Sequence, residues 1–235
     1  MIKLYQFRPA LGLSSASPFC MKLETFLKMA GLDYETVWLS DPRKAPKGKL
    51  PFIDDDNHRM ADSGLIIDYL NKTRHLDLDA SLSPADKAVS LAWIRALEEH
   101  FYWSLVYSRW MDEAHWPTVK AAYFAGLPAV LKDLIPALAR KQVRANLYGH
   151  GLGRHSAEDI YAMGEHTLHS LADFMADKPY VMGEAPTSAD ATVYAFIASV
   201  LVPPLETTLK RAAMVHKNLQ AYCRRMDERY SATSS

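Results

Sequence analysis

At 235 residues, 49% of them hydrophobic, the chain is long enough for one large domain or two small ones. Lysine and arginine balance aspartate and glutamate at 27 each, so the net charge makes no case for nucleic acid or for an anionic membrane as partner. Two cysteines, Cys20 and Cys223, are too few for a disulfide framework and stand in no zinc spacing, so a reduced, cytoplasmic protein without a metal is expected.

The N-terminus reads as a strand rather than a signal peptide, and no apolar run is long enough to span a bilayer. Ile2 to Phe7 is the first strand, followed by a loop rich in Gly, Ser and Ala from Arg8 to Ala16. Ser17 then has the side chain of a helix N-cap, and Pro18 suits the first helical position. Phe19, Leu23, Phe26, Leu27 and Ala30 recur at helical spacing, and Gly31 offers a stop. A hydroxyl (Ser17) and a thiol (Cys20) therefore lie near the positive end of a helix dipole, where an anion is stabilised.

Tyr34 to Leu39 alternates as a strand, and a basic, proline-containing loop leads to the strand Leu50 to Asp54. Asp55-Asp56-Asn57 turns the chain into a short strand at His58 to Met60. Asp62-Ser63 offers caps for a helix carrying Leu65, Ile66, Tyr69 and Leu70. After a linker from Leu76 to Ser83 the texture becomes helical. Helices are expected from Pro84 to Ala114, from Pro117 to Asn146 with a break at Gly126 and Pro128, from Ser156 to Ala176, from Thr187, and from Lys217 to Tyr230. The tail, 231–235, is polar. An α/β unit over 1–76 followed by an all-α unit over 84–235 makes two domains.

Three elements of the first unit converge on one ligand chemistry. Ser17-Pro18-Phe19-Cys20 opens a helix. At Leu50-Pro51 a cis bond would free the Leu50 N–H and C=O to pair with an extended peptide. At Asp62-Ser63, helix-start N–H groups and a hydroxyl could hold a carboxylate, and Asp62 an ammonium. Together they suit a small peptide with a thiol, an amine and carboxylates.

On these motifs the chain resembles the cytosolic glutathione transferase superfamily. Ser17-Pro18-Phe19-Cys20 resembles its catalytic helix start, Lys49-Leu50-Pro51-Phe52-Ile53 its cis-proline strand, and Asp62-Ser63-Gly64-Leu65 its γ-glutamyl-binding helix start. Thr187-Ser188-Ala189-Asp190 is similar to the capping motif of a core helix in its second domain. More narrowly, Ser17 to Tyr34, residues 151–156 and Lys178-Pro179-Tyr180 resemble the failed-axon-connections and metaxin-like branch. The resemblance implies a thioredoxin-like N-terminal domain with an all-α C-terminal domain, glutathione as co-substrate, a small-molecule electrophile and a homodimer.

It also implies roles. Ser17 would hydrogen-bond the glutathione thiolate rather than act as nucleophile, with Cys20 and Tyr5 as rival thiol partners. Phe19, Lys49, Leu50, Pro51, Asp62 and Ser63 would bind glutathione. Tyr107 and Trp110, on the aromatic-rich long helix, would line the electrophile pocket. Gly149 to His155 follows a helix rather than a strand, so it reads as a glycine-rich break and not as a phosphate loop. Beside a transferase stand two other readings: a thiol/disulfide reductase using Cys20, and a non-catalytic interaction protein.

Overall fold

Ile2, Leu4 and Gln6 turn inward and Lys3 and Tyr5 outward, which makes β1 (Ile2–Gln6) a strand with one buried face. The structure, a computed structural model, describes residues 1–230; the polar tail expected at 231–235 lies outside them. Beside β1 stand β2 (Tyr34–Trp38), β3 (Phe52–Asp55) and β4 (His58–Ala61), in the spatial order β2-β1-β3-β4. β1 runs parallel to β2 and antiparallel to β3, which pairs antiparallel with β4. α1 (Pro18–Met29) crosses between the parallel strands, and α2 (Ser63–Thr73) follows β4. Leu23, Phe26 and Leu27 of α1 and Ile66 and Leu70 of α2 close over Ile2, Leu4 and Ile53 as one core. This is a thioredoxin-like layer of helices on one face of a mixed sheet.

The second unit is helical. α3 (Pro84–Arg95) begins at Ser83, whose hydroxyl accepts the Asp86 N–H. The long helix expected over 84–114 is interrupted by a π-helical turn, Ala96–Phe101, before α4 (Tyr102–Trp110). Glu98 in that turn is buried and paired with a lysine of α1, so the local widening accompanies a tertiary contact. The helix stops at Trp110 because Asp112 turns the chain, accepting the Ala114 N–H and the Tyr161 hydroxyl.

The break around Gly126 and Pro128 separates α5 (Trp116–Tyr123) and a short 3₁₀ turn at Ala129–Leu131 from α6 (Leu134–His150). Gly151 ends α6 at a φ of 105°, and a Cβ on Gly153 would stand 2.7 Å from the backbone of Leu147. Residues 149–155 are thus a helix break whose shape requires glycine. α7 (Ala157–Met175), α8 (Ser188–Leu201), α9 (Thr208–Met214) and α10 (Lys217–Tyr230) complete the unit. α9 was not expected from the sequence: seven residues are too few to display a helical period, although Thr207 caps it by accepting the Lys210 N–H.

α8 is buried from Ala189 to Val200 and carries the expected capping box between Thr187 and Asp190. Burial pushes the Asp190 carboxyl up, against hydrogen bonds from Thr187 and Val181 that favour its charge. α8 lies against α1 and so joins the two units. The linker is held as well, since Asp79 accepts from the Ser188 N–H at 2.8 Å and from its hydroxyl at 2.6 Å.

Candidate active site

The helix α1 that follows Ser17 links the other two predicted elements, since Cys20 packs with Leu50 and Lys22 approaches Gly64 at the start of α2. Ser17 precedes α1 in extended backbone, φ −109° and ψ 128°, as an N-cap should. Its side chain, however, makes no capping hydrogen bond among the described residues. The hydroxyl is half-buried and, with that of Ser15, favours the charged form of the Cys20 thiol.

Cys20 does not reach the surface. It is fully buried among Ala45, Leu50, Phe52 and Ala61. Burial pushes its thiol up to about 11, outweighing the hydrogen bonds from Phe7, Ser15 and Ser17 that favour a thiolate. Tyr5 faces the outer side of the sheet. Its ring stacks on Phe52 at 4.2 Å, and its hydroxyl donates to Asp54, which Arg59 grips with two nitrogens. Burial and the Asp54 hydrogen bond hold the phenol above its usual value.

The Leu50–Pro51 peptide bond is cis. Leu50 and Pro51 are buried and Lys49 exposed. Asp62 caps α2: one carboxylate oxygen accepts from Gly64 N at 3.0 Å and Leu65 N at 3.1 Å. It does so at a φ of 87°, a left-handed conformation that is costly for a residue with a Cβ. Two of the helix-start donors are therefore spent on Asp62, while Ser63 begins the helix with its hydroxyl unpaired among the described residues. Phe19 packs edge-on against Tyr102 at 5.0 Å and Phe196 at 5.7 Å, so its ring is spent on the contact between units.

Several participants escaped the sequence reading. Lys22 of α1 reaches beneath the start of α2, its ammonium 4.0 Å from where a Cβ on Gly64 would stand. Arg109 of α4 is buried and donates to the Ala16 carbonyl at 3.2 Å, the Tyr123 hydroxyl at 2.9 Å and the Ser199 carbonyl at 2.8 Å. It thereby fixes the residue before Ser17. Tyr102, its phenol pushed up to about 12 by burial, lies near Arg109, Tyr123 and Cys20. Arg109 was legible only as a cation in an otherwise apolar, aromatic run.

Of the expected pocket aromatics, Trp110 packs among Trp116, Tyr123 and Phe124, and Tyr107 packs edge-on against Tyr161. Trp110 reaches the site through Tyr123, whose hydroxyl lies 3.4 Å from the Ala16 carbonyl. Tyr107 belongs to a cluster with Val106, Leu147, Leu152 and Ile160. The Arg8–Ala16 loop is docked rather than free: Leu13 joins the core around α8, and a Cβ on Gly12 would touch Val202 at 3.1 Å.

Comparison with known proteins gives the chain its relatives. Residues 18–115 match the family model described as the glutathione S-transferase N-terminal domain, and 164–226 match the glutathione S-transferase C-terminal domain. The chain is 32% identical to isoprene-epoxide–glutathione S-transferase of Rhodococcus sp., over 98% of this chain and 99% of that one. It is 34% identical to Failed axon connections of Drosophila melanogaster over 85% of this chain and 50% of that protein, and 24% identical to human Metaxin-2 over 93% and 84%. Among solved structures, beta-etherase LigF from Sphingobium sp. superposes with a TM-score of 0.70 at 17% identity, covering 96% of this chain and 94% of that one. At that identity the likeness speaks for the fold alone.

Proposed function

The chain belongs to the glutathione S-transferase family, and we propose that it joins glutathione to a small electrophile, with Ser17 steadying the thiolate. The observation that carries this reading is the Ser17 hydroxyl, set at the start of α1 and unused as a cap. A thiol ionises near pKa ~8.5, so at neutral pH most glutathione is unreactive thiol. A hydrogen bond from Ser17 to sulfur, aided by the positive end of α1, favours the anion and lowers that value. The thiolate attacks the electrophilic carbon and the leaving oxygen or halide takes the electron pair. Leu50, Pro51, Asp62 and Ser63 hold the peptide, with Phe19 and Lys49 at its borders.

The electrophile lies against the second unit, where Arg109 and Tyr123 reach the Ala16 carbonyl and Tyr102 packs on Phe19, whereas Tyr107 packs on Tyr161. The Rhodococcus relative supports an epoxide of a small alkene as substrate class. The burial of Cys20 weighs against thiol exchange. Apolar side chains exposed on α2 and α3 (Leu65, Val89 and Leu91) support a homodimer.

The test is Ser17→Ala. We expect kcat/KM for glutathione conjugation to fall about a hundredfold, as when one donor to a developing anion is removed, and the bound-thiol pKa to rise. If both stay unchanged, the Ser17 mechanism is wrong. A second reading, a non-catalytic interaction protein, is favoured by the likeness to Failed axon connections and Metaxin-2 across most of the chain. Calorimetry that finds no glutathione binding at millimolar concentration would select it.

A further inference from the structure

The balanced net charge conceals a strong local segregation. Between Ala114 and Arg154 the sequence has a single acidic residue, Asp133, against Lys120, Lys132, Arg140, Lys141, Arg144 and Arg154. α6 itself contains no acid at all. One side of this helix faces inward, with Pro136 and Leu147 buried. The opposite side carries Leu134, Leu138, Lys141, Ala145 and Tyr148 at helical spacing.

That outer side is apolar and bare. Leu134 is 56% exposed, Leu138 54% and Tyr148 60%, and Val130 in the preceding turn is 86% exposed. These side chains stand proud of the surface. Beside them, between α5 and α6, lies a cleft of about 410 Å³ walled by Lys120, Asp133, Arg140, Lys141 and Arg144 and by Trp116. Arg140 is already committed, stacked 5.0 Å from Trp116 and bonded to Glu113, and Lys120 pairs with Asp133. Lys141 and Arg144 have no carboxylate partner among the described residues.

We propose that this α5–α6 face docks on an anionic lipid surface, with lipid phosphates held by Lys141 and Arg144 and with Leu134, Leu138 and Tyr148 at the acyl boundary. Cations alone would suit any polyanion, and an apolar ridge alone would suit any hydrophobic partner. The two side by side on one acid-free helix match the layered chemistry of a bilayer interface, phosphate above hydrocarbon. A ridge of exposed side chains enters a deformable bilayer, whereas a partner helix asks for a groove. Tyr148 suits the boundary, its ring apolar and its hydroxyl wet, with Arg154 stacked 4.8 Å from the ring.

The experiment is co-sedimentation of the full chain with phosphatidylcholine vesicles, with and without phosphatidylglycerol. Binding is expected only with phosphatidylglycerol and is released by salt. Each cation near an anionic surface contributes roughly fivefold, so Lys141→Gln with Arg144→Gln should weaken binding about thirtyfold. Leu134→Ser with Leu138→Ser should weaken it even at low salt. All four side chains are peripheral, so circular dichroism and glutathione conjugation should match the parent. If phosphatidylglycerol vesicles leave the chain in the supernatant, or if both double variants bind like the parent, the proposal falls. It falls also if inorganic phosphate binds at Lys141 and Arg144 while vesicles do not, since the cleft is then an ion site only.

Discussion

The Lys22 ammonium lies 2.5 Å from the Glu98 carboxylate, and both side chains are buried where α1, the start of α2 and the π-helical turn converge. Glu98 has a second cation, Arg95, at 3.1 Å; among the described residues Lys22 has only Glu98. Removing one partner of a buried pair costs about 3–5 kcal/mol because the other charge is stranded. Glu98→Gln, which strands Lys22, should therefore destabilise by about that amount, and Lys22→Met by less, because Arg95 still serves Glu98. Replacing both by methionine should recover most of the loss. Urea unfolding of the three variants measures the order; equal losses for the two single changes would contradict it.

Asp62 both caps α2 and is proposed to meet the glutathione ammonium, and one substitution separates these roles. Asp62→Asn keeps an oxygen for the Gly64 and Leu65 N–H groups and tolerates the left-handed backbone. Its melting temperature should match the parent while KM for glutathione rises about tenfold, the loss of one charged hydrogen bond. Asp62→Ala should lower both stability, by about 1 kcal/mol, and affinity.

Arg109 holds the Ala16 carbonyl, next to the Ser17 proposed to steady the thiolate. Arg109→Lys keeps the charge but cannot span Ala16, Tyr123 and Ser199 together. We expect kcat to fall severalfold or more with little change in glutathione KM, and stability to drop by roughly 1.5–3 kcal/mol, the worth of a hydrogen bond to a charged group. Tyr123→Phe, which removes one contact, should show a smaller effect of the same kind. Steady-state kinetics on both variants make the comparison.

Cys20 should be silent toward alkylating reagents in the native protein at neutral pH, since it is buried and its thiol pushed up to about 11. Iodoacetamide followed by mass spectrometry should label it only after denaturation, and Cys20→Ala should retain conjugation. Fast native labelling would reopen the reductase reading.

His216, at the start of α10, touches His169 of α7. Burial first and His169 second hold its imidazole below the usual histidine value, against an opposing pull from Asp173. The neutral form is thus favoured in the fold, and the unfolded chain takes up the proton first. The contribution is complete above about pH 6.5 and declines as pH falls below it. Thermal melts across this window should show that decline, and His216→Gln should flatten it.

How much of this was written locally can be judged residue by residue. Leu50-Pro51, Asp62 and the Thr187–Asp190 box are signals carried within four consecutive positions, and each appears where the sequence put it, while Ser17 stands at the N-cap position without its side chain capping α1. Glu98 and Arg109 were invisible because their partners lie 76 and 93 positions away. The π-helical turn was missed for the same reason, since nothing in the periodicity of Ala96–Phe101 betrays a widening that answers to Lys22. The bare flank of α6 was obscured by averaging, because a net charge of zero says nothing about where the charges stand.

The position of α1 has a consequence for how this molecule comes apart. Leu23, Phe26 and Leu27 fill the core under the sheet, while Met21 belongs to the core around α8. One helix is therefore shared property, and neither half has a finished interior without it. Heating should produce a single calorimetric peak with equal van't Hoff and calorimetric enthalpies rather than two. A chain cut within residues 76–83 should yield two fragments that aggregate apart and regain structure only when mixed.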